Sequence, residues 1–373
     1  MTHVAAALLL LLVTVGWFFL ALAPALHEHF ARTDVGPLRV ASAAADIRFF
    51  GLSFQKFVTT QLASLRARAL TAQPHVTTLP DGSAVWYAPP PEGELSVPEI
   101  FAGARDDQIA GGLVVIAESG LRVPDGAEVL KELYTAGALD AGTGCIFRAV
   151  LACDGATLGP ACEVLRWVNT GGAFSAGMDS ILWGRVSSWG TMSLSEGVRF
   201  QRIAAPRIEM GWPQRELRRD LRDRPAMEKT AKVASFASRW VVDGDFTVPP
   251  GESVAADVIV SGTLRVGRGA LLHGAVRCDV LVASDDSVFL RSVIGAKTLT
   301  FGARCHVTGP VVVEGEAAFG DDCRIGDSES ATTISAVSVR VGNGVVVCGE
   351  VWARRQGIVS ARPSNVALTS GAA

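Results

Sequence analysis

FTVPPGESV from Phe246, LRVGRGALL from Leu264, LVASDDSVF from Leu281, LTFGARCHV from Leu299, AFGDDCRI from Ala318 and VRVGNGVVV from Val339 are variants of one pattern. Each reads apolar, x, apolar, then a turn rich in Gly or Asp, then a second apolar strand. Their starts lie 18, 17, 18, 19 and 21 residues apart. A period near 18 holds about three short strands of five or six residues, the content of one triangular coil of a parallel β-helix. An antiparallel sandwich has no reason to keep such a step.

A more degraded set precedes it: LRVPDGAEV (Leu121), ALDAGTGCI (Ala138), ATLGPACEV (Ala156), AFSAGMDSI (Ala173) and MSLSEGVRF (Met192), with steps of 17, 18, 17 and 19. The sequence therefore predicts a mostly β chain with a parallel β-solenoid in two blocks, residues 110–207 and 240–353. Inward positions stack into ladders of Val, Leu, Ile, Ala and Cys, each large aliphatic contributing roughly 1.5–3 kcal/mol on burial. Gly269, Gly302 and Gly344 fall at the tight corners, where positive φ is expected.

Upstream, residues 4–26 (VAAALLLLLVTVGWFFLALAPAL) carry no charge. At ~1.5 Å per residue this stretch is about long enough to cross a ~30 Å hydrocarbon core. It reads as an N-terminal transmembrane helix with Trp17, Phe18 and Phe19 as membrane-anchor residues. A cleaved signal peptide fits less well, since no Lys or Arg precedes the apolar run and Pro24 follows the small-residue box. Arg32, Arg39, Arg48 and Lys56 follow the span, so the positive-inside rule puts the body in the cytoplasm. Residues 43–69 carry Ile47, Phe50, Phe54, Phe57, Val58, Leu62 and Leu65 at helical spacing, an amphipathic helix that either packs on the next domain or lies on the membrane face.

Residues 71–99, broken by Pro74, Pro80 and Pro89-Pro90-Pro91, read as a linker with a turn at Asp81-Gly82. Residues 208–238 hold Arg and Asp/Glu in alternation and read as a charged linker. Residues 354–373 read as a disordered tail.

Net charge is −3 with pI near 6.1, which gives no field to draw the chain onto nucleic acid. The seven Cys form no CxxC and no zinc-type cluster, and read as buried thiols of a reducing compartment. No metal site or cofactor is predicted. His27-Glu28-His29 sits on alternate positions of a helix end and reads as a solvated interfacial patch. Asp285-Asp286 and Asp321-Asp322 fall at coil turns, where Asp serves turn geometry.

The stretch from about Val242 to Ala353, with coils such as VSGTLRVGRGALLHGAV, resembles the bactofilins, a family of bacterial cytoskeletal proteins. The resemblance covers under a third of the chain. It implies a right-handed β-helix and nucleotide-independent, end-to-end polymerisation into filaments or sheets that scaffold cell-shape or envelope machinery at the bacterial inner membrane. The usual family plan has one β-helix, and the block before Phe200 departs from it.

Terminal coils of a solenoid leave unpaired strand edges unless capped. The candidate self-association residues are therefore Trp240, Val242 and Phe246 near the first coil, and Val345, Val346, Val347 and Trp352 in the last. The expected partners are further copies of the chain, the inner membrane and envelope-machinery proteins. No catalytic residue is assigned. The enzymatic alternative is a hexapeptide-type acyltransferase with His273 or His306 as base. A third reading is an envelope-exposed adhesin or secretion scaffold, which the unpaired Cys and the Arg residues after the span oppose.

Overall fold

The computed structural model of the chain describes residues 2–31, 46–68, 73–79, 81–90, 98–100, 112–211 and 239–360. Among the described residues there are two helices and one hydrogen-bonded set of 27 strands, the strands wound as a parallel β-solenoid of about 12 coils.

The repeat sets the coil. Leu121, Leu139, Ala156, Phe174 and Met192 stand in one parallel register, so the steps of the first block are 18, 17, 18 and 18. The copies read from Ala138 and Ala173 are thus one residue out of frame. In the second block Phe246, Leu264, Leu281, Leu299, Ala317 and Val339 share a register. The long last step comes from one excursion after Gly326, where Asp327 Oδ1 accepts from the backbone N–H groups of Glu329 and Ser330 at 2.9 and 2.6 Å.

Each coil has three walls. In the first block a wall at Leu121–Val123 is followed, after a corner, by one at Glu128–Val129 and a third at Glu132–Thr135. Side chains alternate in and out along them, as in Leu121, Arg122 and Val123: buried, exposed, buried. Corners repeat a left-handed residue. Gly269 and Gly344 have φ of 69° and 71°, and Asp286, Arg304 and Asp322 take the same conformation with side chains. Gly302 departs from the expectation of positive φ: its constraint is space, since a Cβ there would lie 2.6 Å from Asp285 Oδ1. The turn aspartates tie coil to coil, with Asp285 Oδ1 accepting from Ala303 N at 2.9 Å and Asp321 Oδ1 from Asn343 N at 2.8 Å.

In the stretch expected to be a linker, the described residues carry two strands; residues 71–72, 80 and 91–97 lie outside the described residues. His75–Thr78 and Ala84–Ala88 form an antiparallel hairpin, and the second strand continues in parallel with Val114–Ala117 as the first rung of the third wall. Val85, Trp86 and Tyr87 are fully buried. The prolines bracket these strands instead of interrupting them: Pro74 precedes the first and Pro89 follows the second. The turn falls at Asp81-Gly82, with Gly82 at φ 85°.

Helix α1 spans Thr2–Ala31, and Trp17, Phe18 and Phe19 on it are exposed. Among the described residues no helix is long and apolar enough to cross a membrane.

Helix α2 spans Phe49–Arg68; of the predicted 43–69, residues 46–48 form a turn, and residues 43–45 and 69 lie outside the described residues. Its Val58 and Leu65 are buried, and Phe54, Phe57 and Leu62 pack with them on the outer side of the third wall, against Tyr87, Ile116, Tyr134, Leu151 and Trp167. Of the two roles open to this helix, the structure displays packing on the following domain. Phe50, placed on the apolar face by spacing, is 39% exposed, and Gly51 turns inward against Asn169 instead.

Candidate assembly surface at the coil ends

A parallel solenoid can grow only through its terminal edges, so the groups meeting those edges decide what it can join. The closing strand of the first block, Arg199–Met210, pairs antiparallel with the closing strand of the second, Val345–Val359. All three walls take part. Arg199 and Phe200 face Ile358 and Gly357, Arg202 to Ala205 face Trp352 to Gly349, and Ile208 to Met210 face Val347 to Val345. The second wall of one block thus meets the first wall of the other, third meets third and first meets second. A two-fold axis perpendicular to the solenoid axis produces this order.

Packing fuses the blocks. Ile203, Ile208, Met210, Val345, Val347 and Val351 are fully buried in one cluster that runs through both. Gly357 is needed for contact, because a Cβ there would lie 2.2 Å from Phe200 Cε2. Arg202 pairs with Glu350 and stacks on Trp352, 5.2 Å from the ring centre.

Two expected boundaries move as a result. Ile208 and Met210 are buried strand residues, not the start of a charged linker; residues 212–238 lie outside the described residues. Arg354 to Val359 form a strand, not a disordered tail, and residues 361–373 lie outside the described residues. Both extensions keep an in-out alternation that their Arg and Glu side chains conceal: Glu209 between Ile208 and Met210, and Arg354 beside buried Ala353.

The self-association candidates therefore divide. Val345, Val346, Val347 and Trp352 lie in the intramolecular junction, so their edge is already occupied by the chain's own first block. Trp240, Val242 and Phe246 lie at the opposite end of the second block. There Arg239–Val242 pairs with Asp257–Val260 on one side and, among the described residues, with no strand on the other. Trp240 is 42% and Val241 72% exposed, and the Trp240 ring meets Phe246 edge to face at 6.1 Å. Val242 and Phe246 are half-buried against the core. At the first block's own outer end the hairpin adds to the third wall, and Pro98–Ile100 lies on the first, bonding Arg122 through backbone groups at 2.8 and 3.0 Å.

The two histidines weighed as bases lie on the second wall of the second block. His273 Nε2 is 3.1 Å from Ser253 Oγ on the preceding coil. Burial, and then Arg324, hold the His306 pKa below its ordinary value. Among the described residues no group of three His, Cys, Asp or Glu side chains is placed to share a metal ion. All seven thiols are free and all but Cys153 are buried, and burial pushes the Cys278 thiol up to about 12.

Fold and ends together define a two-block parallel β-solenoid closed on itself at one coil end. No known protein family, curated protein or solved structure matches the chain.

Proposed function

We propose that this chain is a structural scaffold of the bactofilin kind, held on the bacterial inner membrane by α1 with its body in the cytoplasm. The second block is its self-associating element, and its further partners are proteins of the envelope machinery. Support for the anchor comes from the chain itself: residues 4–26 are uncharged, and the 30-residue helix that contains them is about 45 Å long at ~1.5 Å per residue. The coils are read as right-handed.

The observation that carries the reading is the open coil end at Trp240. One end of the second block is used inside the molecule, so among the described residues this block offers one coil edge, and assembly through that edge stops at a pair. A symmetric pair is isologous, each copy giving and receiving the same contacts. The open edge suits that arrangement, since Arg239 stands at the start of its strand and Asp243 follows its end. Antiparallel copies would set each Arg239 beside the other's Asp243, with Trp240 opposite Val242.

Light scattering on residues 47–373 in nucleotide-free buffer is expected to give dimers, and Val241→Asp monomers. Residues 239–373, freed of the first block, are expected to form filaments or sheets in negative-stain micrographs. A discrete trimer from either fragment would overturn the scaffold and favour the acyltransferase reading.

A further inference from the structure

We infer that the body carries a docking surface for an anionic phospholipid bilayer, on the third wall where the chain enters it. The inference rests on the membrane-anchored reading above and adds a second, independent membrane contact. Helix α2 runs along the third wall with its last turn near the hairpin, where Arg66 pairs with Glu118, and its first turn toward the junction, where Gly51 meets Asn169. The chain arriving from its N-terminal segment thus joins the body beside the closing coils.

Cations and exposed rings surround that point. A groove of 330 Å³ is lined by Phe50, Arg166, Arg185, Arg202, Trp352 and Arg354. Arg48 stacks on Trp189 at 4.1 Å and Arg185 on Phe50 at 5.0 Å. Trp189 is 56%, Trp352 45% and Leu52 45% exposed. Three nearby carboxylates are engaged, Glu350 with Arg202, Glu132 with Arg148 and Glu163 with the Trp183 indole N–H, while exposed Glu314 accepts from Arg354 through its carbonyl oxygen at 3.1 Å. Arg166, Arg354 and Arg355 are exposed and form no ion pair among the described residues. Arginine beside exposed indole matches the headgroup layer, where guanidinium groups bind phosphate and the rings sit at the polar–apolar boundary.

A bilayer is favoured over a free acidic protein or nucleic acid by the tether. Only residues 32–48 separate α1 from α2, at most about 60 Å of extended chain. A surface held that close meets the membrane at a high effective concentration, so weak intrinsic affinity suffices.

Residues 47–373 contain every described residue of both hydrophobic cores and none of α1, so this fragment tests the surface without the anchor. It is expected to co-sediment with vesicles of phosphatidylcholine and phosphatidylglycerol at low salt, and not with phosphatidylcholine alone. Binding should fall with salt, and Arg166→Glu with Arg354→Glu should lower it about tenfold or more. Trp352→Ala should weaken binding while leaving its salt dependence unchanged. Both arginines are exposed, so an unaltered melting temperature certifies the variants. Failure to bind anionic vesicles, equal binding to both vesicle types, or binding untouched by the charge reversals would overturn the inference; so would a preference for RNA over vesicles. Alkaline carbonate extraction of the full chain reports on α1 alone, so failure of the anchor and failure of this surface are separable.

Discussion

Asp286 concentrates several demands on one side chain. It adopts a left-handed corner at φ 62°, and its carboxylate bridges Arg304 and Arg268 of the neighbouring coils at 2.7 and 3.1 Å. The Arg304 hydrogen bond, followed by that of Arg268, holds its pKa below the usual carboxylate range. Asn tolerates the same backbone, so Asp286→Asn removes the charge and keeps the corner. A depressed folded pKa contributes stability above the unfolded pKa, and that stability is lost as pH falls through the folded one. The Asn variant is therefore expected to have a lower urea midpoint than wild type at pH 7, by at most about 1 kcal/mol for so exposed a pair. The gap should close below about pH 4. An equal gap at neutral and acid pH would show that geometry, not charge, holds this corner. The paired Asp residues were legible as turn formers, yet their division of labour was not. Asp285 accepts from the next coil's backbone and lies 3.5 Å from Arg304, whereas Asp286 bridges arginines one coil above and below, which only the stacking register decides.

At the scale of elements, α2 is clamped to the solenoid at its C-terminal end by a buried carboxylate. The Glu118 side chain is 4% exposed, pairs with Arg66 and accepts from the Tyr87 hydroxyl, while Arg66 itself is 61% exposed. Removing the exposed partner leaves a buried charge short of compensation. Arg66→Ala is expected to lower the melting temperature and to raise hydrogen exchange in α2 above that of the coils. Uniform exchange across both would mean that Val58 and Leu65 hold the helix unaided. Helical spacing located those contact positions in advance, because an apolar stripe is a local signal. The hairpin at residues 75–88 escaped because three proline positions were weighed as breaks, whereas proline at the margins of strands is permitted.

At the scale of the molecule, periodicity made each block legible and left their meeting hidden. Coils repeat because neighbours are similar, but the junction joins unlike strands, and Arg202 finds Glu350 148 residues away. No repeat signals such a pairing, and Arg and Glu side chains masked the alternation in both strands. The consequence is energetic. A solenoid transmits stability between neighbouring coils, and here the cluster running through Ile208 and Val347 makes the closing coils of the two blocks neighbours. Calorimetry of residues 47–373 should therefore show one cooperative transition. Ile208→Asp places an unpaired charge in the dry junction and should divide that transition in two, the first block and the second melting separately. Two transitions in the wild type, or one in the variant at an unchanged temperature, would mean that the strands meet without coupling. The second block would then keep the freedom to grow from both ends.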